Sequence, residues 1–156
     1  MALEDVTSYC MAPYKTPNHF IGGFGVNLNQ AAYEMQRLAE AYGKFSGLRL
    51  RHMVLSFSNK EVKRFRSHIN DELMKIAYYA AGYYGCQYQI IYSIHEDSDH
   101  HHIHFVMNTV NYQTGKKYPG TKEDYYAFQN YLGAFLKDYY GCLLYTSDAA
   151  DEGLGV

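Results

Sequence analysis

The chain has 156 residues, a length that suits one domain with a single hydrophobic core. Its residues are 47% hydrophobic and 19% charged, and no apolar run approaches the roughly 18 residues that a membrane-spanning helix needs. The three cysteines are too few and too scattered for a disulfide framework. We therefore expect a cytoplasmic protein without membrane insertion.

The C-terminal segment distorts the net charge of −2. Residues 142–156 break the helical pattern before them and resemble the translation of a transposase-derived sequencing adapter. We therefore expect a domain over residues 1–141 and a non-native tail over 142–156. The tail holds three of the 16 acidic residues and no Lys or Arg, so without it 14 basic residues face 13 acidic ones, a net charge of +1. Such a charge neither excludes nor demands a nucleic-acid partner.

The first half of the chain predicts a loop, a helix and a strand. Residues 1–28 carry two of the three prolines and a Gly-rich stretch, which indicates a short helical start followed by a flexible loop. Residues 29–42 repeat apolar side chains every three or four positions and predict a helix with Asn29 as N-cap. Residues 48–58 alternate and predict a strand.

A capping-box pattern at Ser58 and Glu61 then predicts a long helix that ends near Gly82 or Gly85. Two strands, a turn-rich loop and a last helix follow it. Their predicted ranges are 87–95 and 103–111 for the strands, 112–120 for the loop, and a helix that starts at a Thr121/Asp124 capping pattern and ends at Gly141. This order predicts an α+β fold, an antiparallel sheet with helices packed on one face.

Five of the eight histidines lie where the two predicted strands meet, in the segment IHEDSDHHHIHF, 94–105. The period of two buries one set of side chains under the helices, namely Tyr88, Ile90, Tyr92, Ile94, Ile103, Phe105, Met107 and Thr109. In an antiparallel hairpin His95, His102 and His104 then converge on the other, open face, where Asn108 also lies. Three neutral imidazoles leave coordination positions for substrate, as a catalytic metal site requires. By parity alone His100 could replace His95, and a solvated polar loop is the other interpretation.

The segment HEDSDHHHIHFVMN resembles the third motif of conjugative relaxases of the MobA/MobL (VirD-like) type, which belong to the H-U-H endonucleases (U, hydrophobic). That motif reads H-x-D-x-x-x-x-H-x-H, then apolar residues and Asn. The matching residues are His95, Asp97, His102, His104 and Asn108. The resemblance implies that His95, His102 and His104 are the metal ligands and that His100 and His101 are neighbours in the loop.

Three further segments extend the resemblance to residues 3–141. RHMVLSFSNKE, 51–61, is similar to the second motif of the family; TGKK, 114–117, commonly follows the third; and YCMAPYKT, 9–16, is similar to the first. The family usually has a strand before its first motif, whereas this chain begins almost at the motif. We therefore expect a domain that is truncated at both ends and lacks that strand.

The resemblance implies metal-dependent nicking and rejoining of one DNA strand at a transfer origin, through a 5′-phosphotyrosyl intermediate that starts conjugative transfer of a plasmid or mobile element. Phosphoryl transfer of this kind needs an in-line nucleophile and a cation, here a divalent ion, Mg²⁺ or Mn²⁺. The implied partners are single-stranded DNA at the origin, accessory relaxosome proteins and a coupling protein, in the bacterial cytoplasm.

The resemblance makes Tyr9 the nucleophile, with Tyr14 as runner-up, whereas composition alone leaves all eighteen tyrosines open. Asp97 is placed in the catalytic set as a residue that orients a ligand imidazole, or else it caps a turn. The expected DNA contacts are Ser56, Asn108, Lys15, Lys116 and Lys117, with Arg49 and Arg51 as similar candidates and a solvated surface as the alternative. We expect His52 to be a satisfied sheet residue rather than a fourth ligand.

Two other functions fit the same residues. A rolling-circle replication initiator or single-strand transposase would carry its nucleophile on a helix after the histidines, at Tyr125 or Tyr126. A non-catalytic module would bind single-stranded nucleic acid without forming a covalent adduct.

Overall fold

The computed structural model describes residues 20–65, 68–96, 99–141 and 145–152. Its strands are β1 (Ile21–Phe24), β2 (Leu50–Ser58), β3 (Tyr88–Glu96), β4 (His100–Asn111) and β5 (Thr146–Glu152). Its α-helices are α1 (Ala31–Ala41), α2 (Asn59–Val62), α3 (Ile69–Gly85) and α4 (Lys122–Tyr140). The strands form one antiparallel sheet in the order β1-β3-β4-β2-β5. The expected α+β class with an antiparallel sheet is confirmed.

Two helix starts have the predicted capping contacts. The hydroxyl of Ser58 accepts a hydrogen bond from the backbone N–H of Glu61, and that of Thr121 accepts one from Asp124 N. The first helix differs, because Asn27 rather than Asn29 supplies the cap: its Oδ1 accepts from Asn29 N and starts a short 3₁₀ turn before α1.

The long helix predicted from Ser58 is interrupted, which corrects the prediction. A single turn, α2, passes into a 3₁₀ turn at Lys63–Phe65, and α3 begins only at Ile69. The apolar spacing continues across the break, so the sequence pattern alone does not reveal it.

The predicted flexible start also contains a strand. Residues 21–24 form β1, which pairs with β3 from Ile21↔Ser93 to Phe24↔Ile90. Gly22 is needed there because a Cβ atom would lie 2.4 Å from the hydroxyl of Tyr92. The glycines that suggested a loop therefore permit close packing within the sheet.

The main core lies between one face of the sheet and the helices α3 and α4. Its members from the strands include all the predicted inward residues of β3 together with Ile103, Phe105 and Met107. Thr109, the remaining residue predicted to point inward, is also buried, and its hydroxyl donates to Leu48 O at 2.6 Å.

The opposite face is covered in part, contrary to the expectation of helices on one face alone. Helix α1 packs there in a second, smaller core made of Ala31, Met35, Leu50, Ile91 and Val106. The face expected to be open is therefore divided between α1 at one end and the histidines at the other.

Residues 146–152, within the predicted tail, form β5 and pair with β2 from Ser56↔Thr146 to Leu50↔Glu152. This pairing does not test whether the tail is native. Among the described residues, no helix combines the length and apolar content that crossing a bilayer requires.

Candidate functional site

The pairing of β3 with β4 determines where the histidine side chains lie. His95 lies directly opposite His102, and Ser93 lies opposite His104, so all four side chains point to the same face. The ring centroids of His95 and His104 are 4.1 Å apart, and those of His102 and His104 are 5.9 Å apart. The hairpin therefore brings the three predicted ligands together.

Two neighbours hold the inner histidines in place. The hydroxyl of Ser93 lies 3.1 Å from Nε2 of His95, and Nε2 of His52 lies 3.0 Å from Nδ1 of His104. His95 is 6% and His104 8% exposed, whereas His102 is only partly buried. An imidazole hydrogen-bonded through one nitrogen is held in one orientation and can bind a metal through the other.

The chemical groups at the site are ones that can bind a divalent ion. Three imidazoles lie on adjacent strands, with a hydroxyl and a fourth imidazole behind them. The side chains are not arranged around an ion, however. Within the described ranges, no group of three His, Cys, Asp or Glu side chains has a metal-binding arrangement. The backbone nevertheless places the rings of His95, His102 and His104 on one face of the β3–β4 hairpin.

His100 and His101 lie in β4 rather than in a loop, which corrects the sequence interpretation. His101 points to the opposite face, where its Nδ1 is 2.9 Å from Oδ1 of Asn59 and burial lowers the pKa of its imidazole. His100 is exposed, and its ring is 6.1 Å from that of His102.

Two of the predicted DNA contacts on the histidine face have different surroundings. Ser56 lies directly opposite His102 on β2 and is partly exposed beside the histidines. Asn108 is 2% exposed; its amide donates to Met35 O and to Oε1 of Gln89, and its Oδ1 accepts from Val110 N. The structure thus places Asn108 in the contact between α1 and the sheet, away from the surface.

The predicted basic contacts lie elsewhere. Lys117 pairs with Val110, eight residues along β4 from His102, a separation of roughly 26 Å. Lys116, next to it, is exposed at the same distant end of the strand. Arg51 is buried on the core face, where it donates to the hydroxyl of Tyr118 and stacks over its ring, so it is not available to a phosphate.

Tyr9, its runner-up Tyr14, Lys15 and Asp97 lie outside the described residues. Their predicted roles stay predictions.

Two residues at the site were missed from the sequence: Ser93, and His52 in a supporting role. A signal existed for each. His52 and Ser56 are an even number of residues apart on β2, and Ser93 and His95 are two residues apart on β3. Because side chains alternate along a strand, His52 and Ser93 are both assigned to the histidine face once the strand order is known.

The alternative nucleophiles Tyr125 and Tyr126 lie near the start of α4, which begins at Lys122. The buried residues of this helix, including Phe128 and Leu132, belong to the main core on the far side of the sheet from His95 and His104. The sheet therefore stands between these tyrosines and the histidines.

Comparison with known proteins identifies related sequences. A family model described as the MobA/VirD2-like relaxase nuclease domain matches residues 9–140. Two curated proteins from Staphylococcus aureus, both called protein rlx, are 30% and 27% identical over 101 residues. Each alignment covers 65% of this chain and 30% of the relative's length. No solved structure matches.

Proposed function

This chain belongs to the MobA/VirD2-like relaxase nuclease family, and we propose that it nicks and rejoins one strand of DNA at a transfer origin through a 5′-phosphotyrosyl intermediate. The observation that carries the proposal is the convergence of His95, His102 and His104 on one face of the β3–β4 hairpin. The proposal includes single-stranded DNA as substrate, and accessory relaxosome proteins and a coupling protein as partners.

The proposed cofactor is Mg²⁺ or Mn²⁺, held by His95, His102 and His104. Bound there, a divalent ion would supply positive charge beside the non-bridging oxygens of the scissile phosphate. The chain's own residues would do the rest of the positioning. Ser93 and His52 hold two of the three imidazoles, and Ser56 stands beside the third. Asp97 is proposed to orient a ligand imidazole.

The proposed nucleophile is Tyr9. Its hydroxyl oxygen would form a bond to the phosphorus while the bond from phosphorus to the 3′ oxygen breaks. The tyrosine loses one proton and the released 3′ oxygen gains one, so the DNA is left with a free 3′-OH and a 5′ end linked to the protein. One phosphodiester replaces another, which makes rejoining possible without nucleotide fuel.

The position of Tyr125 and Tyr126 supports an upstream nucleophile. Both follow the histidines in the chain, as the replication-initiator or transposase alternative requires, but α4 lies behind the sheet. A tyrosine there could not reach a phosphate held by His95 and His104 without rearrangement of the core.

One observation favours a second candidate, a module that binds single-stranded DNA without chemistry. Within the described residues, no group of three His, Cys, Asp or Glu side chains is arranged around an ion. This candidate predicts DNA binding without a covalent product.

The test is incubation of the chain with single-stranded DNA that carries the transfer origin, in Mn²⁺ or Mg²⁺, followed by denaturing electrophoresis. We expect a covalent protein–DNA band that is lost in Tyr9→Phe and in His102→Ala. Matched controls are Tyr33→Phe, an exposed tyrosine of α1, and His68→Ala, an exposed histidine just before α3.

The other outcomes separate the alternatives. A band that survives Tyr9→Phe but is lost in Tyr125→Phe or Tyr126→Phe would support the replication-initiator or transposase reading. DNA binding without any covalent band would support the non-catalytic module.

A further inference from the structure

Three cationic side chains meet at the end of the sheet that is distant from the histidines. Lys44 follows α1, Arg49 precedes β2, and Lys117 lies after the turn that leaves β4. All three line one narrow cleft, together with residues of α1 and with Asn108 and Val110 of β4. The cleft is on the α1 side of the sheet, which is also the face of the histidines.

Two of these cations are fixed by hydrogen bonds to the protein. Lys117 donates to Leu48 O and, at 2.7 Å, to the hydroxyl of Thr109. Arg49 donates from Nη2 to Phe45 O at 2.7 Å. The Nε atom of Arg49 is buried and has no hydrogen-bond partner in the described part of the chain. An ammonium has three donors and a guanidinium five, so both groups retain donors for a ligand.

In the part of the chain that the structure describes, no ion pair balances the charges of this cluster. Within the described residues, the ion pairs closer than 4 Å involve other side chains, and none includes Lys44, Arg49 or Lys117. Burial lowers the pKa of Lys117, and the nearby Arg49 and Lys44 lower it further. Partly buried like charges repel one another, so an anion bound between them would relieve a real electrostatic cost.

We propose that Lys44, Arg49 and Lys117 form a phosphate-binding site for the backbone of single-stranded DNA. This site deepens the proposed function and rests on it, since it would hold the strand roughly 26 Å from His102. The inner cavity of about 10 Å³ has room for no more than one water. The phosphate would therefore bind at the mouth of the cleft, where Lys44 is partly exposed.

Lys44→Gln is the cleanest test, because no side-chain hydrogen bond or ion pair of Lys44 is seen in the described structure. Lys117→Gln would also remove the contacts to Leu48 and Thr109, and it serves only as a second variant checked for stability. The matched control is Lys137→Gln, which removes one positive charge from an exposed position on α4, on the other side of the sheet.

The measurement is fluorescence anisotropy of the full chain with a labelled single-stranded oligonucleotide longer than roughly 16 nucleotides, over a range of salt concentrations. One lost phosphate contact on a single strand reduces the slope of log K against log salt by about 0.7. We therefore expect Lys44→Gln to reduce the slope by about 0.7 and the affinity by roughly fivefold at 0.1 M salt. Lys44→Glu should weaken binding further.

Equal slopes for Lys44→Gln and Lys137→Gln would overturn the proposal, as would wild-type affinity in Lys44→Glu. A failure of the proposed function would be distinguishable from this. Salt-dependent binding that is sensitive to Lys44 but gives no covalent band would support the phosphate site and contradict the nicking activity. A chain that does not bind single-stranded DNA at any salt concentration would overturn both.

Discussion

His52 on β2 and His104 on β4 are joined through their ring nitrogens, with Nε2 of His52 3.0 Å from Nδ1 of His104. The two ring centroids are 5.2 Å apart. Because Nδ1 of His104 is hydrogen-bonded to His52, the ring is held in one orientation, and Nε2 is the nitrogen suited to a metal. His52 is thereby a positioning residue for a proposed ligand, although the sequence suggested only a satisfied sheet residue.

The first prediction concerns this contact. We expect His52→Ala to lower the affinity of the chain for Mn²⁺ by about 10- to 100-fold, because loss of an outer partner leaves a ligand imidazole without a fixed orientation. Isothermal titration calorimetry with Mn²⁺ measures the effect. His68→Ala is the control, since His68 is exposed in front of α3 on the other side of the sheet. Unchanged Mn²⁺ affinity in His52→Ala would show that the bond does not position His104.

The second prediction concerns Asn108, which ties α1 to the sheet. Its side-chain amide donates to Met35 O at 3.1 Å and to Oε1 of Gln89 at 2.9 Å. Asn108→Ala leaves these buried acceptors without their donor, so we expect a loss of about 1–3 kcal/mol in the free energy of unfolding. Urea denaturation measures it. Asn29→Ala, at an exposed position, should change stability by less than about 0.5 kcal/mol. If Asn108→Ala is as stable as the unsubstituted chain but binds DNA more weakly, Asn108 contacts DNA instead, and the prediction is wrong.

The third prediction concerns the turn that leads to Lys117. Gly115 and Gly47 both have positive φ, +74° and +77°, but a Cβ atom on Gly115 would lie 2.3 Å from Cδ1 of Tyr42, whereas one on Gly47 would meet nothing within 4 Å. Gly47→Ala should therefore cost about 1 kcal/mol for its backbone conformation alone. Gly115→Ala should cost clearly more, because Tyr42 or the turn must also move. Thermal unfolding of the two variants gives the comparison, and equal losses would mean that Tyr42 moves aside freely.

The fourth prediction is a loss of stability in alkaline solution. Burial and a hydrogen bond to Asp124 raise the pKa of Tyr118 to about 12, and burial raises that of Tyr131 to about 12. An unfolded chain loses these protons near pH 10. The stability that the two neutral phenols contribute is thus complete below pH 10 and is lost as the pH rises from 10 to about 12.

Two measurements test this. The melting temperature should fall steadily above pH 10, and the ultraviolet absorbance of the folded chain should show a class of tyrosines that titrates later than those of the chain in guanidinium. A single titration step at the same pH in both states would contradict it.

The fifth prediction concerns residues 142–156. If they are a translated adapter, the genomic locus will not encode them, and sequencing that locus decides the matter. In the structure, residues 146–152 pair as β5 with the outer edge of β2, and the hydroxyl of Ser147 accepts a hydrogen bond from Gln129 of α4 at 2.9 Å. A chain that ends at Gly141 would lose the packing of Tyr145 against the main core but keep the buried core residues of α3, α4 and strands β2 to β4. With a net charge of +1 instead of −2, it should bind single-stranded DNA more tightly at low salt. The same affinity for both chains would show that the acidic tail lies away from the bound strand.

The sequence by itself determined the local features of this protein. Capping patterns at Ser58 and Thr121 depend on contacts within one turn, and the period of two on β3 and β4 depends only on strand geometry, so both could be predicted. The convergence of His95, His102 and His104 on one face could likewise be predicted, because it requires only a hairpin between neighbouring strands. The spacing of these histidines was also enough to suggest the family that the comparison then established.

Tertiary structure alone decided what reaches those residues from distant parts of the chain. The pairing of β2 with β4 brings His52 to His104, and the packing of α1 buries Asn108. The same sheet separates Lys117 from the histidines by the length of β4 and joins it with Lys44 and Arg49. Such contacts span tens of residues and depend on strand order, which no local periodicity encodes, because a side chain's parity fixes its face but not its neighbours.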